Sequence, residues 1–148
     1  MSEIPAELPK WIADHIKLYL TDPEKAHLWD ASLGGGSGMI PTLLLITTGA
    51  KTGKQRMLPL IYKQIDGNFV IVASKGGAPS HPGWYRNLKA NPACEIRVGK
   101  DIHNAKARVA EGAEREKLWK EMVDLYGPYR QYQERTDRQI PIVVLEPQ

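Results

Sequence analysis

Apolar side chains in the opening stretch AELPKWIADHIKLYL recur every three or four residues, at Leu8, Trp11, Ile12, Ile16 and Tyr19, with His15 on the same face. Lys10, Asp14 and Lys17 fall between them, so the spacing predicts an amphipathic helix. Asp22 and Pro23 have the order of a helix cap followed by a first-turn proline. They predict a second short helix carrying Ala26, Leu28 and Trp29, and a helical segment over about residues 6–30. Gly34, Gly35, Gly36 and Gly38 then predict a flexible connector.

From Pro41 the pattern shortens to β-rich runs. TLLLITT and RMLPLIY read as strands, residues 66–68 (DGN) as a hairpin turn and FVIVAS as the next strand, the three forming a meander. In PSHPGWYRNLKANP, Ser80 or His81 precedes a short helix with Pro82 in its first turn, ending near Asn91 and Pro92. ACEIRVG and HNAKARVAE are strands either side of a tight turn at Lys100 and Asp101. From Gly112, AEREKLWKEMVDLY places Leu118, Met122, Leu125 and Tyr126 on one helical face, and IPIVVLEP is the final strand. About five or six mainly antiparallel strands with a few helices predict an α+β domain built on a small barrel.

Composition bounds the function. At 148 residues and 42% hydrophobic content, the chain can bury a core as one domain over residues 1–148. Its opening lacks a basic start followed by an apolar run, and no apolar stretch approaches the roughly 20 residues that span a bilayer. A cytoplasmic protein is expected. The single cysteine, Cys94, excludes an internal disulfide and a cysteine metal cluster, and it reads as strand packing. A net charge of +3 leans toward anionic partners without choosing among them.

Three stretches carry candidate chemistry. The turn in ITTGAKTGKQRMLPLIY concentrates Lys51, Lys54 and Arg56 around Gly49 and Gly53. Three residues separate these glycines, Gln55 follows Lys54 and a strand comes next, whereas a nucleoside-triphosphate loop needs four residues, then Lys and Ser or Thr, then a helix. What remains is either a solvated turn or a phosphate or carboxylate site. VASKGGAPSHPGW places Lys75 beside Gly76 and Gly77 ahead of a helix N-terminus. Two cationic glycine loops together suggest an elongated anionic ligand. His81 reads as a catalytic acid or as a cap or surface residue. Tyr126, Tyr129 and Tyr132 stand three residues apart, a spacing that suits packing against the barrel or lining a pocket for a flat ligand. Metal-ligand spacing, the nucleophile elbow and the dinucleotide fingerprint are all missing, so the chemistry of any enzyme here would be carried by a bound cofactor.

The ordered set LLITTGAKTGKQRMLPLIY, VIVASKGGAPSHPGWYRNLKANP and YGPYRQYQERTDRQIPIVVLEP, covering roughly residues 42–147, closely resembles the deazaflavin-dependent nitroreductase family. These are small split β-barrels, FMN-binding-like in fold, that use reduced coenzyme F-420. The resemblance implies that Lys51, Thr52, Lys54 and Arg56 meet the cofactor's phosphate and polyglutamate tail. It places Pro59, Leu60 and Ile61 along the cofactor. Val72, Ala73, Ser74 and Lys75 would contact the ring and ribityl chain, and Trp84, Tyr85, Arg86 and Asn87 would flank the tail or phosphate. Tyr126, Tyr129 and Tyr132 match tyrosines that line the acceptor pocket, and no metal is implied. The implied reaction is hydride transfer to a quinone, an activated alkene or a nitroaromatic ring, with Ser74 and Tyr129 as hydrogen-bond donors. An FMN-dependent split-barrel oxidoreductase is the nearest alternative. A non-catalytic binding module, including one for nucleic acid, fits less well, because the aromatics cluster at the pocket instead of interleaving with a basic groove. The N-terminal helix lies outside the strong match, with three readings: peripheral membrane contact, a cover over the active site, or packing on the barrel.

Overall fold

The computed structural model describes residues 9–148, so the expected apolar position at Leu8 lies outside the described residues. Helix α1 (Lys10–Thr21) ends where Pro23 opens α2 (Pro23–Ala26), and the Asp22 side chain accepts a hydrogen bond from Lys25 N at 3.4 Å. The cap and first-turn proline are as expected, but the second helix stops before Leu28. Leu28 and Trp29 belong instead to β1 (Leu28–Asp30), which gains sheet hydrogen bonds by pairing antiparallel with β2 (Met39–Thr48) at Pro41 and Ile40.

The glycine segment is folded as well. A short 3-10 turn (Ala31–Gly34) follows β1, Ala31 N donates to Gly38 O at 2.8 Å and Gly36 N to Ala31 O at 2.9 Å. These bonds close it into a compact loop in place of the flexible connector expected.

The sheet bends round into a barrel. Strand β2 pairs on one side with β3 (Gln55–Ile61) and on the other with β6 (Ala93–Val98), and antiparallel pairing continues through β7 (Asp101–Val109), β8 (Ile142–Pro147), β5 (Asn68–Val72) and β4 (Lys63–Ile65). Only Tyr62 separates β3 from β4, so the chain itself completes the circuit. The expected meander is present with its middle strand divided at Tyr62: the first half pairs with β2, the second with β5. Asp66 and Gly67 turn the β4–β5 hairpin with φ of 53° and 80°, the left-handed pair that matches the twist of adjoining strands. Gly99 and Lys100 make the next turn, and Asp101 already pairs with Val98.

Burial explains why these strands read as apolar runs more than as clean alternations. Leu43 and Leu45 of β2 point into the barrel with Ile71, Ile96, Val143 and Leu145, whereas Leu44 and Ile46 lie beneath Ile16 and Tyr19 of α1. On the opposite side, Val70, Val72, Ile142 and Val144 are covered by Leu118 and Met122 of α4 (Gly112–Leu125). Helix α3 (Gly83–Ala90), with Pro82 at its cap position, plugs one end of the barrel through Trp84 and Leu88. Tyr126 falls just beyond α4, and Pro128 restarts the chain as α5 (Pro128–Glu134). Among the described residues, no helix is long and apolar enough to cross a membrane.

Candidate active site

A cavity of about 440 Å³ opens between β3, the loop after β5, the start of α3, α5 and α1. Leu58, Pro59, Leu60, Ile61 and Val72 make its barrel side, and Trp84 lies at the α3 end. Tyr126, Tyr129 and Tyr132 line the far wall, where Tyr126 and Tyr129 meet edge to face with ring centres 5.0 Å apart. The remaining wall comes from Trp11, Ile12 and His15 of α1, with Trp11 stacked on Trp29 at 6.4 Å. So α1 both packs on the barrel and covers the cavity.

The three tyrosines are not equivalent. Tyr126 donates its hydroxyl hydrogen to Gly34 O at 2.8 Å, so the 3.4 Å contact between the Tyr126 and Tyr132 hydroxyls uses the hydrogen of Tyr132. Both hydrogens are committed. Tyr129 is 4% exposed, yet its hydroxyl forms no hydrogen bond within the described residues. Burial, reinforced by the two neighbouring tyrosines, raises its pKa far above the ordinary 10, so it stays protonated and free to donate.

Half-buried Ser74 also lines the cavity, and its hydroxyl forms no hydrogen bond within the described residues. It begins a loop in which Lys75, Gly76 and Gly77 all have positive φ, at 47°, 63° and 81°. Lysine in that region is strained, whereas the glycines adopt it freely. Gly77 has a second reason to lack a side chain, since a Cβ there would come within 2.5 Å of Tyr132 O. The loop is therefore packed directly on α5.

The basic turn lies outside the cavity, at the tip of the β2–β3 hairpin. Gly49 N donates to Lys54 O at 2.7 Å and Lys54 N to Thr52 Oγ1 at 3.2 Å, and none of Lys51, Lys54 and Arg56 joins an ion pair with a described residue. Helix α3 links the two places. Trp84 lines the cavity, while Asn87, one turn on, donates to Thr47 Oγ1 at 3.1 Å and accepts from Ala50 N at 3.0 Å. Asn87 is thus a bracket for the basic turn, with its amide engaged by protein atoms.

The structure gathers Pro59, Leu60, Ile61, Val72, Ser74, Lys75, Trp84 and the three tyrosines at one cavity. Ala73 is fully buried, and its carbonyl is bound by Arg138. Tyr85 turns to the other side of α3, 4.7 Å from the His81 ring, and both are absent from the cavity lining. His81 accepts a hydrogen bond from Arg138 through Nδ1 at 3.1 Å, a structural contact made outside the cavity. Sequence reasoning missed Arg138, the wall made by Trp29, and the seat that Gly34 and Gly36 give Tyr126. The glycine cluster was a usable signal for that seat; Arg138 gave none, because its partners, three carbonyls and the His81 imidazole, lie about 60 residues away in sequence.

The sequence model of the F-420H(2)-dependent quinone reductase family matches residues 25–147. An F-420H(2)-dependent quinone reductase of Mycobacterium tuberculosis (strain ATCC 25618 / H37Rv) is 39% identical over 150 aligned residues, covering 94% of this chain and 97% of the relative. A solved F-420-H2 dependent reductase, FDR-A, is 48% identical over 72% of this chain and 94% of its own, with a TM-score of 0.67. Another solved chain, described as a domain-swapped dimer, is 40% identical, covers 92% of this chain and 97% of its own, and has a TM-score of 0.70. With its split barrel, its tyrosine-walled cavity and a match running from α2 to β8, the chain belongs to the F-420H(2)-dependent quinone reductase family.

Proposed function

We propose that this protein reduces a quinone with reduced coenzyme F-420. The reading rests on the Tyr129 hydroxyl, a protonated donor without a partner among the described residues, on the wall of an apolar cavity that Ser74 and Lys75 also line. The residues present suit the cofactor. Pro59, Leu60, Ile61 and Val72 offer an apolar bed for a flat ring, and Ser74 offers a hydroxyl to its polar edge. Lys51, Lys54 and Arg56, unpaired by any described carboxylate, together with Thr52 would meet a phosphate and an anionic tail at the hairpin tip. Trp84 and Arg86 lie on the helix between the two places.

Reduced F-420 supplies a hydride equivalent when bound. The protein's share is positioning, water exclusion and charge stabilisation. Trp11, Trp29, Tyr126 and Tyr132 close the cavity around the acceptor, and Tyr129 donates a hydrogen bond to the acceptor oxygen on which negative charge accumulates. Its raised pKa keeps that hydrogen in place through the neutral range, and solvent supplies the proton that completes the hydroquinone. A nitroaromatic ring or an activated alkene presents a comparable oxygen acceptor and belongs to the same reading. On α1 the apolar face is directed to the barrel and cavity, leaving Trp11 and Leu20 as its large side chains available to a lipid surface.

Anaerobic titration with F-420 and, separately, with FMN tests the cofactor assignment. The expected result is saturable binding of F-420, weakened by rising salt, with FMN binding much more poorly. Preferred binding of FMN would retain the barrel and overturn the assignment.

A further inference from the structure

The loop after β5 holds Lys75 at φ 47° in sequence with two left-handed glycines, a turn closed locally by Gly77 N to Ser74 O at 3.0 Å and Ala78 N to Lys75 O at 3.1 Å but strained at the lysine. One side chain spans it. From the segment after α5, Arg138 donates through Nη2 to Ser74 O at 2.8 Å, through Nη1 to Ala73 O at 3.2 Å and through Nε to Ala78 O at 2.9 Å. Nη1 also donates to His81 Nδ1 at 3.1 Å. The planar guanidinium therefore ties both ends of the loop and the approach to α3, a set of directions that a point-like ammonium cannot reproduce. No described carboxylate pairs with Arg138, so its half-buried charge is satisfied by three carbonyls and an imidazole. A role in surface charge alone does not account for that arrangement.

We propose that Arg138 is the positioning residue that holds the Ser74 and Lys75 loop in its cofactor-receiving form, with neutral His81 as the acceptor that fixes the guanidinium. The proposal rests on the reading that this loop meets F-420. Arg138 is absent from the cavity lining; it acts through the backbone that carries Ser74.

The His81 contact makes the hold pH-dependent. Nδ1 can accept only while it carries no proton. Burial, then Arg138 and Arg86, depress the pKa below the usual 6.5, and Tyr85, Glu111, Arg115 and Glu116 share the cleft that His81 faces. A depressed folded-state value means that the contribution is full above the ordinary histidine pKa and is lost as pH falls below it.

The test compares wild type, Arg138→Met, Arg138→Lys and His81→Gln. Backbone amide exchange over residues 73–78 is read in cofactor-free protein, and F-420 affinity is read by titration from pH 5 to pH 8. Arg138→Met should exchange about tenfold faster over this loop while the β6 and β7 amides stay unchanged, and it should bind F-420 about tenfold more weakly, with Arg138→Lys intermediate. His81→Gln keeps an acceptor at every pH, so the acid-side fall in affinity should flatten. Wild-type exchange and affinity in folded Arg138→Met, or in Arg138→Lys should the methionine variant not fold, would overturn the proposal. An unaltered pH profile in His81→Gln would overturn the part assigned to His81. Failure of wild type to bind F-420 would instead reject the cofactor reading, while the exchange comparison still decides whether Arg138 holds the loop.

Discussion

At the residue scale, the site depends on which polar atoms are left without partners. Tyr126 and Tyr132 pass their hydroxyl hydrogens toward Gly34 O, and among the described residues nothing accepts the hydrogen of Tyr129. This selection depends on glycine. Gly34 and Gly36 have ordinary φ, so they are not required by the backbone, but a Cβ at Gly34 would overlap the Tyr126 hydroxyl and one at Gly36 would come within 2.9 Å of its ring. Gly34→Ala should therefore push Tyr126 into the cavity, cost ~1–3 kcal/mol of stability and raise the KM for menadione several-fold. Gly83→Ala, at a helical position with open space around it, should leave the denaturation midpoint unchanged or raise it slightly. Equal midpoints for Gly34→Ala and wild type would show that the seat has slack.

At the element scale, the hairpin tip and α3 form one unit through Asn87. Its amide is bonded to Thr47, which is 2% exposed, and to the backbone of Ala50, so it fixes where Lys51 and Lys54 begin. Asn87→Ala should leave Thr47 without this partner, lower stability by ~1–2 kcal/mol and weaken F-420 binding by disordering the turn. The turnover of cofactor that does bind should change less. Retained affinity in a destabilised Asn87→Ala protein would separate the bracket from the binding of the tail. Among the described residues no carboxylate pairs with the three cations at this bend, which leaves their field open to the anionic tail proposed to dock there.

At the scale of the whole molecule, much of the fold was legible because the strands are buried on both faces. TLLLITT and FVIVAS carry apolar residues on successive positions since one face enters the barrel and the other meets α1 or α4. The division at Tyr62 was not legible, because a strand that changes partners keeps the same local composition. Leu28 and Trp29 were assigned to a helix for a related reason: three residues carry too little pattern to reveal that β2 is within pairing distance. In the site, the tyrosine spacing and the two cationic loops were visible as motifs. The contacts of Arg138, and the bracing of the basic turn by Asn87, were not, because their partners are distant in sequence.

The central claim is that electrons pass from reduced F-420 to a quinone beside the Tyr129 hydroxyl. The most direct measurement is anaerobic single-turnover mixing of menadione with protein saturated in reduced F-420, following the return of deazaflavin absorbance in wild type and Tyr129→Phe. Rapid reoxidation by wild type is predicted, with the phenylalanine variant slower by ~10²-fold and its F-420 affinity nearly unchanged. Equal rates in the two proteins would remove the Tyr129 hydroxyl from the chemistry, and no reoxidation by F-420-saturated wild type would contradict the assignment of menadione-type quinones as acceptors.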